Sequence, residues 1–283
     1  MSTDGLEIRP AGVSAGQLDA YSALLGQVFG ASPKFTAEAI AWRYRDNPAG
    51  QVVGADAWAG ETLAAHYVTC PMRAVVEGRA LKGLLSLNTA THPDFQGRGL
   101  FTRLAETTYE AGATQGYDFV IGVANAQSTP GFLRKLAFQH VAPLEAGILT
   151  HTPRRFTPAP LAFAAAWTPE TLAWRLLNPA TDYRSSRHGA LTAIWADTHL
   201  PGVRCVAFLE GQPPETLHAR PLGFSLFLGL DPRLNLGRFG LIRLPERFRP
   251  SPLNLIYRPL SEAAPRTLDP AAVALNFLDF DPY

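Results

Sequence analysis

A glutamine, an arginine and two glycines stand together where an apolar run gives way to a helical pattern. The run is Leu84-Leu85-Ser86-Leu87-Asn88-Thr89-Ala90-Thr91; it continues through His92-Pro93-Asp94-Phe95 into Gln96-Gly97-Arg98-Gly99-Leu100-Phe101-Thr102. Glycines at 97 and 99 let successive backbone N–H groups turn toward one point, and a helix opening there adds its positive end. Such a turn suits a pyrophosphate, with Gln96 and Arg98 as side-chain contacts. A lone glycine pair also makes an ordinary tight turn, so the elements around it decide.

Those elements are an alternation of strands and helices. Apolar periodicity predicts a strand near Leu6–Arg9, helices over Ala15–Phe29 and Thr36–Arg45, and strands near Val52–Ala59, Thr62–Val76 and Leu81–Thr91. A helix from about Gly99 to Ala113, a strand Phe119–Val123, a helix around Pro130–Leu136 and a last strand toward Leu149 follow. The order describes an α/β (α+β) fold with a mixed, mostly antiparallel central sheet flanked by helices. Further along, Ala190–Trp195, Val203–Leu209, Gly223–Leu228 and Leu253–Tyr257 read as strands.

An internal repeat organises the chain. Phe35-Thr36-Ala37-Glu38-Ala39-Ile40-Ala41-Trp42-Arg43 returns 132 residues later as Trp167-Thr168-Pro169-Glu170-Thr171-Leu172-Ala173-Trp174-Arg175, and Asn47-Pro48-Ala49 returns as Asn178-Pro179-Ala180. In both copies a threonine can cap the helix and a glutamate sits in its first turn. A repeat of this length marks a duplicated domain, with the seam in the proline-rich stretch 152–160, giving units 1–151 and 156–283. Trp58 is matched provisionally with Trp195. Recurrence of tryptophans favours shared core packing for Trp42, Tyr44, Trp58, Trp174 and Trp195, and recurrence of Arg43 and Arg175 suggests structural hydrogen bonds to carbonyls.

The glycine loop resembles the acyl-CoA pyrophosphate loop of the GNAT acyltransferase superfamily, whose signature Q/R-x-x-G-x-G/A it follows at Gln96 and Gly99. Gly122-Val123-Ala124-Asn125 and the helix through Phe132 to Phe138 are similar to the strand, asparagine and helix that come next in that family. The Trp-Arg-Tyr helix with its Asn-Pro also resembles tandem bacterial members. The resemblance covers residues 1–150 well and 156–283 faintly. It implies acetyl-CoA or another acyl-CoA as substrate, bound by Thr89, Ala90, Thr91, Gln96, Gly97, Arg98, Gly99, Leu100, Phe101, Thr102, Asn125 and Phe132. The pantetheine arm would lie between Thr89–Thr91 and Ile121–Val123, where a backbone N–H near Ala90 or Thr91 polarises the thioester carbonyl.

The implied reaction is N-acyl transfer (an N-acetyltransferase), by direct attack of a small-molecule or peptide amine within a ternary complex. It needs a base for the amine proton and a donor for the leaving thiolate. No carboxylate lies on Leu84–Thr91. His66 or Glu77 from the neighbouring strand is the candidate base and Asn88 a candidate to hold a water. Their plainer readings are an outward strand residue for His66 and a turn residue for Glu77. Phe132 occupies the place of the family's tyrosine acid, which predicts a ring facing the thioester sulfur without a proton to give. Phe101 stands where the family prefers glycine or alanine, and is expected to turn outward or cover the adenine. The second half has no equivalent loop, although Leu236-Gly237-Arg238-Phe239-Gly240-Leu241 is superficially similar, and is expected to be a degenerate copy walling the acceptor site.

Composition narrows the alternatives. With 47% apolar and 17% charged residues the chain belongs with globular proteins, and a net charge of +1 without a basic run argues against a nucleic-acid partner. Two cysteines, Cys70 and Cys205, without a Cys/His cluster suggest neither disulfides nor a metal. The absence of a leader-like N-terminus and of any 18-residue apolar run leads to the expectation of a cytoplasmic protein without a membrane partner. Two rival readings are an acyl-CoA-binding module without turnover and a structural protein that merely keeps the fold.

Overall fold

The computed structural model describes residues 5–211, 223–234, 240–244 and 252–282. In the first half the strands are β1 (Glu7–Pro10), β2 (Val53–Ala59), β3 (Thr62–Val76), β4 (Arg79–Thr91), β5 (Phe119–Ala124), β6 (Gln139–Pro143) and β7 (Glu145–Leu149). The helices are α1 (Ala15–Phe29), α2 (Ala37–Tyr44), α3 (Leu100–Thr114) and α4 (Thr129–Lys135). The second half carries β8 (Phe163–Ala165), α5 (Pro169–Leu176), β9 (Arg184–His188), β10 (Leu191–Asp197), β11 (Val203–Glu210), β12 (Phe224–Leu230), β13 (Leu241–Arg243), β14 (Asn254–Pro259), β15 (Val273–Asn276) and α6 (Phe277–Phe280).

The two halves repeat one order of strand pairings. β2–β3 and β3–β4 are antiparallel and β4–β5 parallel; β9–β10 and β10–β11 are antiparallel and β11–β12 parallel. The repeated helices α2 and α5 open each series. Thr36 caps α2 and Thr168 caps α5 through their hydroxyls, and Asn47 and Asn178 each close the same turn by accepting from the N–H two residues on, at 2.9 Å. This correspondence corrects one pairing: Trp58 lies on β2, whose counterpart is β9, whereas Trp195 lies on β10, the counterpart of β3.

The two halves also exchange their last strands. β14 inserts between β5 and β6 of the first half, antiparallel to both. β7 inserts between β12 and β13 of the second half, again antiparallel to both. A single residue, Leu144, separates β6 from β7, too few to reverse the chain into a hairpin, so β7 runs on into the other half. The sequence boundary near 151 therefore does not divide the sheet: residues 145–149 belong with the second half's strands and 254–259 with the first's. The single strand expected toward Leu149 is these two. With β8 paired to β3 and β15, all fifteen described strands form one sheet.

Burial follows from this interleaving. The largest core draws Phe119 and Ile121 of the first half and Phe163, Ile194, Cys205, Tyr257 and Phe277 of the second into one cluster. A second core lies beneath α3 and α4, built from Tyr67, Leu84, Leu104, Tyr109 and Phe132, and it too includes Ile256 of β14. A third sits under α1 and α2. Both cysteines are buried strand residues. Among the described residues no helix is long and apolar enough to cross a membrane.

Candidate functional site

β4 and β5 run side by side only from Gly83↔Phe119 to Ser86↔Gly122. Beyond that pair the strands part. On the other flank of β4, pairing with β3 passes from Val68↔Leu87 to His66↔Ala90, so β3 advances two residues while β4 advances three. The extra residue makes a β-bulge, and Asn88 carries it with a left-handed φ of 48°. Thr89, Ala90 and Thr91 thus form the splayed arm of β4, opposite Val123 and Ala124 of β5. A slot open between two strands offers unpaired backbone groups to an extended ligand.

At the top of the slot the glycine loop leads into α3. Gly97 and Gly99 take left-handed φ values of 77° and 70°, and neither has a neighbour within 4 Å of where a Cβ would stand. Gly99 is the N-cap of α3, without a side chain to satisfy the first turn. The first helical bond is donated by Arg103 to Gly99, at 3.3 Å. The N–H groups of residues 97–102 find no acceptor among the described residues, so the loop presents an uncapped helix start of fifteen residues to solvent. Leu100 turns its side chain into the core while Gly97, Arg98 and Gly99 are exposed. Gln96 folds back toward the Thr91 carbonyl at 3.5 Å, and the Arg98 guanidinium lies 5.0 Å over the Phe95 ring.

Three expectations change. Phe101 does not turn outward: its ring packs edge-on to Phe132 at 5.1 Å and to Tyr67 at 6.0 Å. Phe132 does not face the slot as a bare substitute for an acid. It is 4% exposed and enclosed by Tyr67, Phe101 and Phe138. Asn125 is committed to the chain itself, its Oδ1 accepting from the N–H groups of Gln127 and Ser128 at 3.0 and 2.9 Å and so shaping the entry to α4.

His66 is not an outward strand residue. It is fully buried, stacked at 4.1 Å on Tyr21. Its Nδ1 lies 2.6 Å from Asp56 Oδ1 and its Nε2 3.0 Å from Tyr44 Oη. Asp56 is fully buried as well, and its other oxygen accepts from Tyr21 Oη at 2.6 Å. A carboxylate can only accept, which places the Nδ1 proton on His66; Asn88 Nδ2 donates to Tyr44 Oη at 2.9 Å, which turns the phenol proton toward Nε2. Burial raises Tyr44 well above the ordinary phenol value and keeps it neutral. Asp56, His66, Tyr44 and Asn88 therefore form one hydrogen-bonded chain that ends on the bulge. Glu77 has a left-handed φ of 47° between β3 and β4 and is the turn residue its neighbour Gly78 suggested.

A second hydroxyl cluster, not visible from spacing, lies at the fork where β4 and β5 part. Tyr67 Oη is 2.8 Å from Ser86 Oγ and 2.6 Å from Tyr109 Oη. Burial pushes the Tyr67 phenol up to about 12. Ser86 belongs to the last β4–β5 pair, but Tyr109 comes from α3, forty-two residues from Tyr67, and nothing local in the sequence joins the three.

Residues 7–141 match the model of the acetyltransferase (GNAT) domain family. This segment is a GNAT domain. The likeness in fold extends well beyond it. A GCN5-related N-acetyltransferase from Kribbella flavida superposes with a TM-score of 0.62 at 10% identity, over 91% of this chain and 72% of that one. A GCN5-related N-acetyltransferase from Anabaena variabilis ATCC 29413 gives 0.60 at 10% identity over 90% and 73%, and Eis1 from Mycobacterium abscessus gives 0.54 at 12% over 88% and 72%. No curated protein matches the chain. Coverage near nine-tenths means that the GNAT domain and the half interleaved with it share the neighbours' architecture together.

The second half keeps the fork without the loop. β11 and β12 pair from Val203↔Phe224 to Cys205↔Leu226 and then part, as β4 and β5 do. Only residues 211–223, thirteen in all, join β11 to β12, against the twenty-seven of 92–118 in the GNAT domain. That is too short for a counterpart of α3. The superficially similar stretch around Gly237 lies outside the described residues.

Where the repeats meet, they meet through their repeated residues. Trp42 stacks on Trp174 at 4.4 Å and 16°, and Trp174 Nε1 donates to the Trp42 carbonyl at 3.2 Å. Arg43 and Arg175 do not serve carbonyls as expected; both converge on Asp281 Oδ2, which also accepts from Asn178 at 2.8 Å. Burial alone would raise the Asp281 carboxyl, but the two guanidinium groups outweigh it and hold it below the usual carboxylate range.

Proposed function

We propose that the GNAT domain binds acetyl-CoA or another acyl-CoA and transfers its acyl group to an amine. The observation that carries this reading is the combination of a strand fork with an uncapped, glycine-opened helix above it. The amides at the start of α3, from the exposed Gly97, Arg98 and Gly99 onward, would hold the pyrophosphate, with Gln96, Arg98 and Thr102 beside it. The pantetheine arm would follow the slot between Thr89–Thr91 and Val123–Ala124, bringing the thioester to the bulge at Asn88. Retention of the loop in one half only supports one cofactor per chain, with the second half forming a wall of the acceptor site.

In this reading the amine nitrogen attacks the thioester carbon, the C–S bond breaks, and CoA leaves as thiolate. The ammonium proton passes by way of a water on Asn88 to the Tyr44–His66 chain, where Asp56 would stabilise the imidazolium. The Ser86, Tyr67 and Tyr109 hydroxyls stand at the fork to protonate the thiolate. A thiol is a tolerable leaving group near neutral pH, so this donor adds to the rate without being indispensable.

The test is calorimetry with CoA, followed by thioester consumption against an amine panel. Wild type should bind one CoA per chain, and Gly99→Asp should lower affinity at least tenfold, and further than Gly99→Asn, which carries the same strain at the left-handed φ of 70° without the carboxylate that faces the pyrophosphate. Unchanged affinity in Gly99→Asp would remove the loop assignment. Tyr44→Phe, which breaks the link from Asn88 to His66, should leave CoA affinity intact but lower kcat at least tenfold; an unaltered rate would disconnect His66 from the chemistry. The enclosed Phe132 favours a second reading, an acyl-CoA-binding module, and tight CoA binding without thioester consumption for any amine would decide for it.

A further inference from the structure

Between the repeats, against the face of β4 that carries Leu85 and Leu87, lies an open-mouthed cavity with about 50 Å³ of space for the centres of water-sized groups. Leu87 immediately precedes Asn88, the bulge to which the thioester is assigned above, so the cavity abuts that strand segment. Its walls are apolar and aromatic, with Met72, Trp167, Trp174 and Phe280 among them. Its charged groups are Arg43, Arg73, Arg175, Asp279 and Asp281.

The charges do not cancel. Arg43 and Arg175 share one carboxylate, Asp281. Asp279 faces the same space, but its oxygens already accept from Trp167 Nε1 at 3.0 Å and from the Asn276 N–H at 2.7 Å, and burial raises its carboxyl to about 6. Arg73 stands exposed at the mouth with no ion pair among the described residues. Three guanidinium groups thus face one fully engaged carboxylate and one held by two donors.

Arg175 carries the decisive feature. Its side chain is 7% exposed, its guanidinium carbon lies 4.9 Å over Trp174 and 5.7 Å from both Trp42 and Trp167, and its Nε and Nη1 make no hydrogen bond. Nη1 is 2.9 Å from Asp281 Oδ2, without the alignment of a hydrogen bond. Buried guanidinium N–H groups left without acceptors are costly unless a ligand supplies them, and an anionic oxygen is the acceptor a guanidinium binds most strongly.

We infer that this cavity takes the acceptor, and that the acceptor is an amine which also carries a carboxylate on an apolar frame, the chemistry of an amino acid, with Arg175 holding the carboxylate and Arg73 drawing it in. The inference rests on the acyl-transfer reading above, from which it is separable by experiment.

The test uses the full chain saturated with CoA. Leucine, phenylalanine and 6-aminohexanoate are titrated beside leucinamide, phenylalaninamide and hexylamine, with O-phosphoethanolamine as the phosphate arm. The carboxylates should bind, and with acetyl-CoA be acylated, at least tenfold more favourably than their neutral partners. Arg73→Met, at an exposed site, should weaken the carboxylates several-fold and leave the amides and CoA unchanged; Arg175→Lys, which keeps the charge and loses the fork, should do so more strongly. Preference for the amides or hexylamine, equal effects of Arg73→Met on both sets, or no binding of any carboxylate to the CoA complex would overturn the inference. Stronger binding of phosphoethanolamine than of every carboxylate would overturn it in favour of a phosphate. Failure of CoA itself to bind would instead refute the acyl-transfer reading.

Discussion

At the scale of single residues, what surrounds a side chain decides what it can do more than its position in the sequence. Phe132 occupies a position that invites a functional reading, yet its ring closes an aromatic cluster with Tyr67, Phe101 and Phe138. Phe132→Tyr should therefore lower stability by about 1–3 kcal/mol, the cost of a buried hydroxyl without a partner, and bring no gain in transfer rate. Thermal unfolding with and without CoA, beside the rate at low pH, checks this; a faster enzyme of unchanged melting temperature would return the position to the thioester. His66 shows the reverse case. From the sequence it is one histidine in a strand, and its tie to Asp56, Tyr44 and Asn88 exists only because β2, α2 and the bulge of β4 surround it.

At the scale of elements, β14 matters beyond its six residues. It supplies Leu255, Ile256 and Tyr257, each no more than 1% exposed, between β5 and β6 of the GNAT domain. Ile256 packs into the core under α3, and a Cβ on Gly122 of β5 would stand 3.6 Å from it. Ile256→Ala should cost roughly 2–4 kcal/mol, in the range for emptying a packed aliphatic site. Because β5 is one wall of the slot, CoA affinity should fall together with stability, although Ile256 lies in the other half of the sequence. Denaturant unfolding and CoA titration of the same variant test the linkage; a loss of stability with unimpaired binding at low temperature would show that β14 supports the fold alone.

At the scale of the whole molecule, strand exchange binds the halves into one folding unit. A chain ending at residue 151 lacks β14 and leaves facing edges of β5 and β6 unpaired, while β7 loses both its partners. It should not fold as a monomer. The pseudo-symmetry offers it one remedy: β7 of each copy can take the place of β14 in another, as reciprocal exchange between identical chains. Sedimentation of the 1–151 fragment should accordingly give a dimer or aggregates, and a cooperatively folding monomer that binds CoA would refute the argument. The Trp42–Trp174 stack and the shared Asp281 act in the same direction, since each half buries its repeated Trp-Arg pair against the other.

What the sequence determined by itself was local or repeated. Hydrophobic alternation defined β2 to β5, periodicity and caps defined α1 to α3, the glycine pair marked the loop, and the duplicated Thr-x-Glu helix exposed the two copies. These follow from interactions within a few residues, or from identity between distant ones, which a single sequence displays. Tertiary structure decided the rest. Which half each last strand joins depended on a one-residue link and on open edges roughly eighty or more residues away. The partner of Arg43 and Arg175 is an aspartate two positions before Tyr283. Whether Phe132 and Phe101 face a slot or a core was set by Tyr67 of another strand, and the bulge that puts Asn88 beside Tyr44 was set by the register of β3 on β4. Side-chain environment is a sum over elements brought together by packing, and spacing along the chain carries no record of that sum.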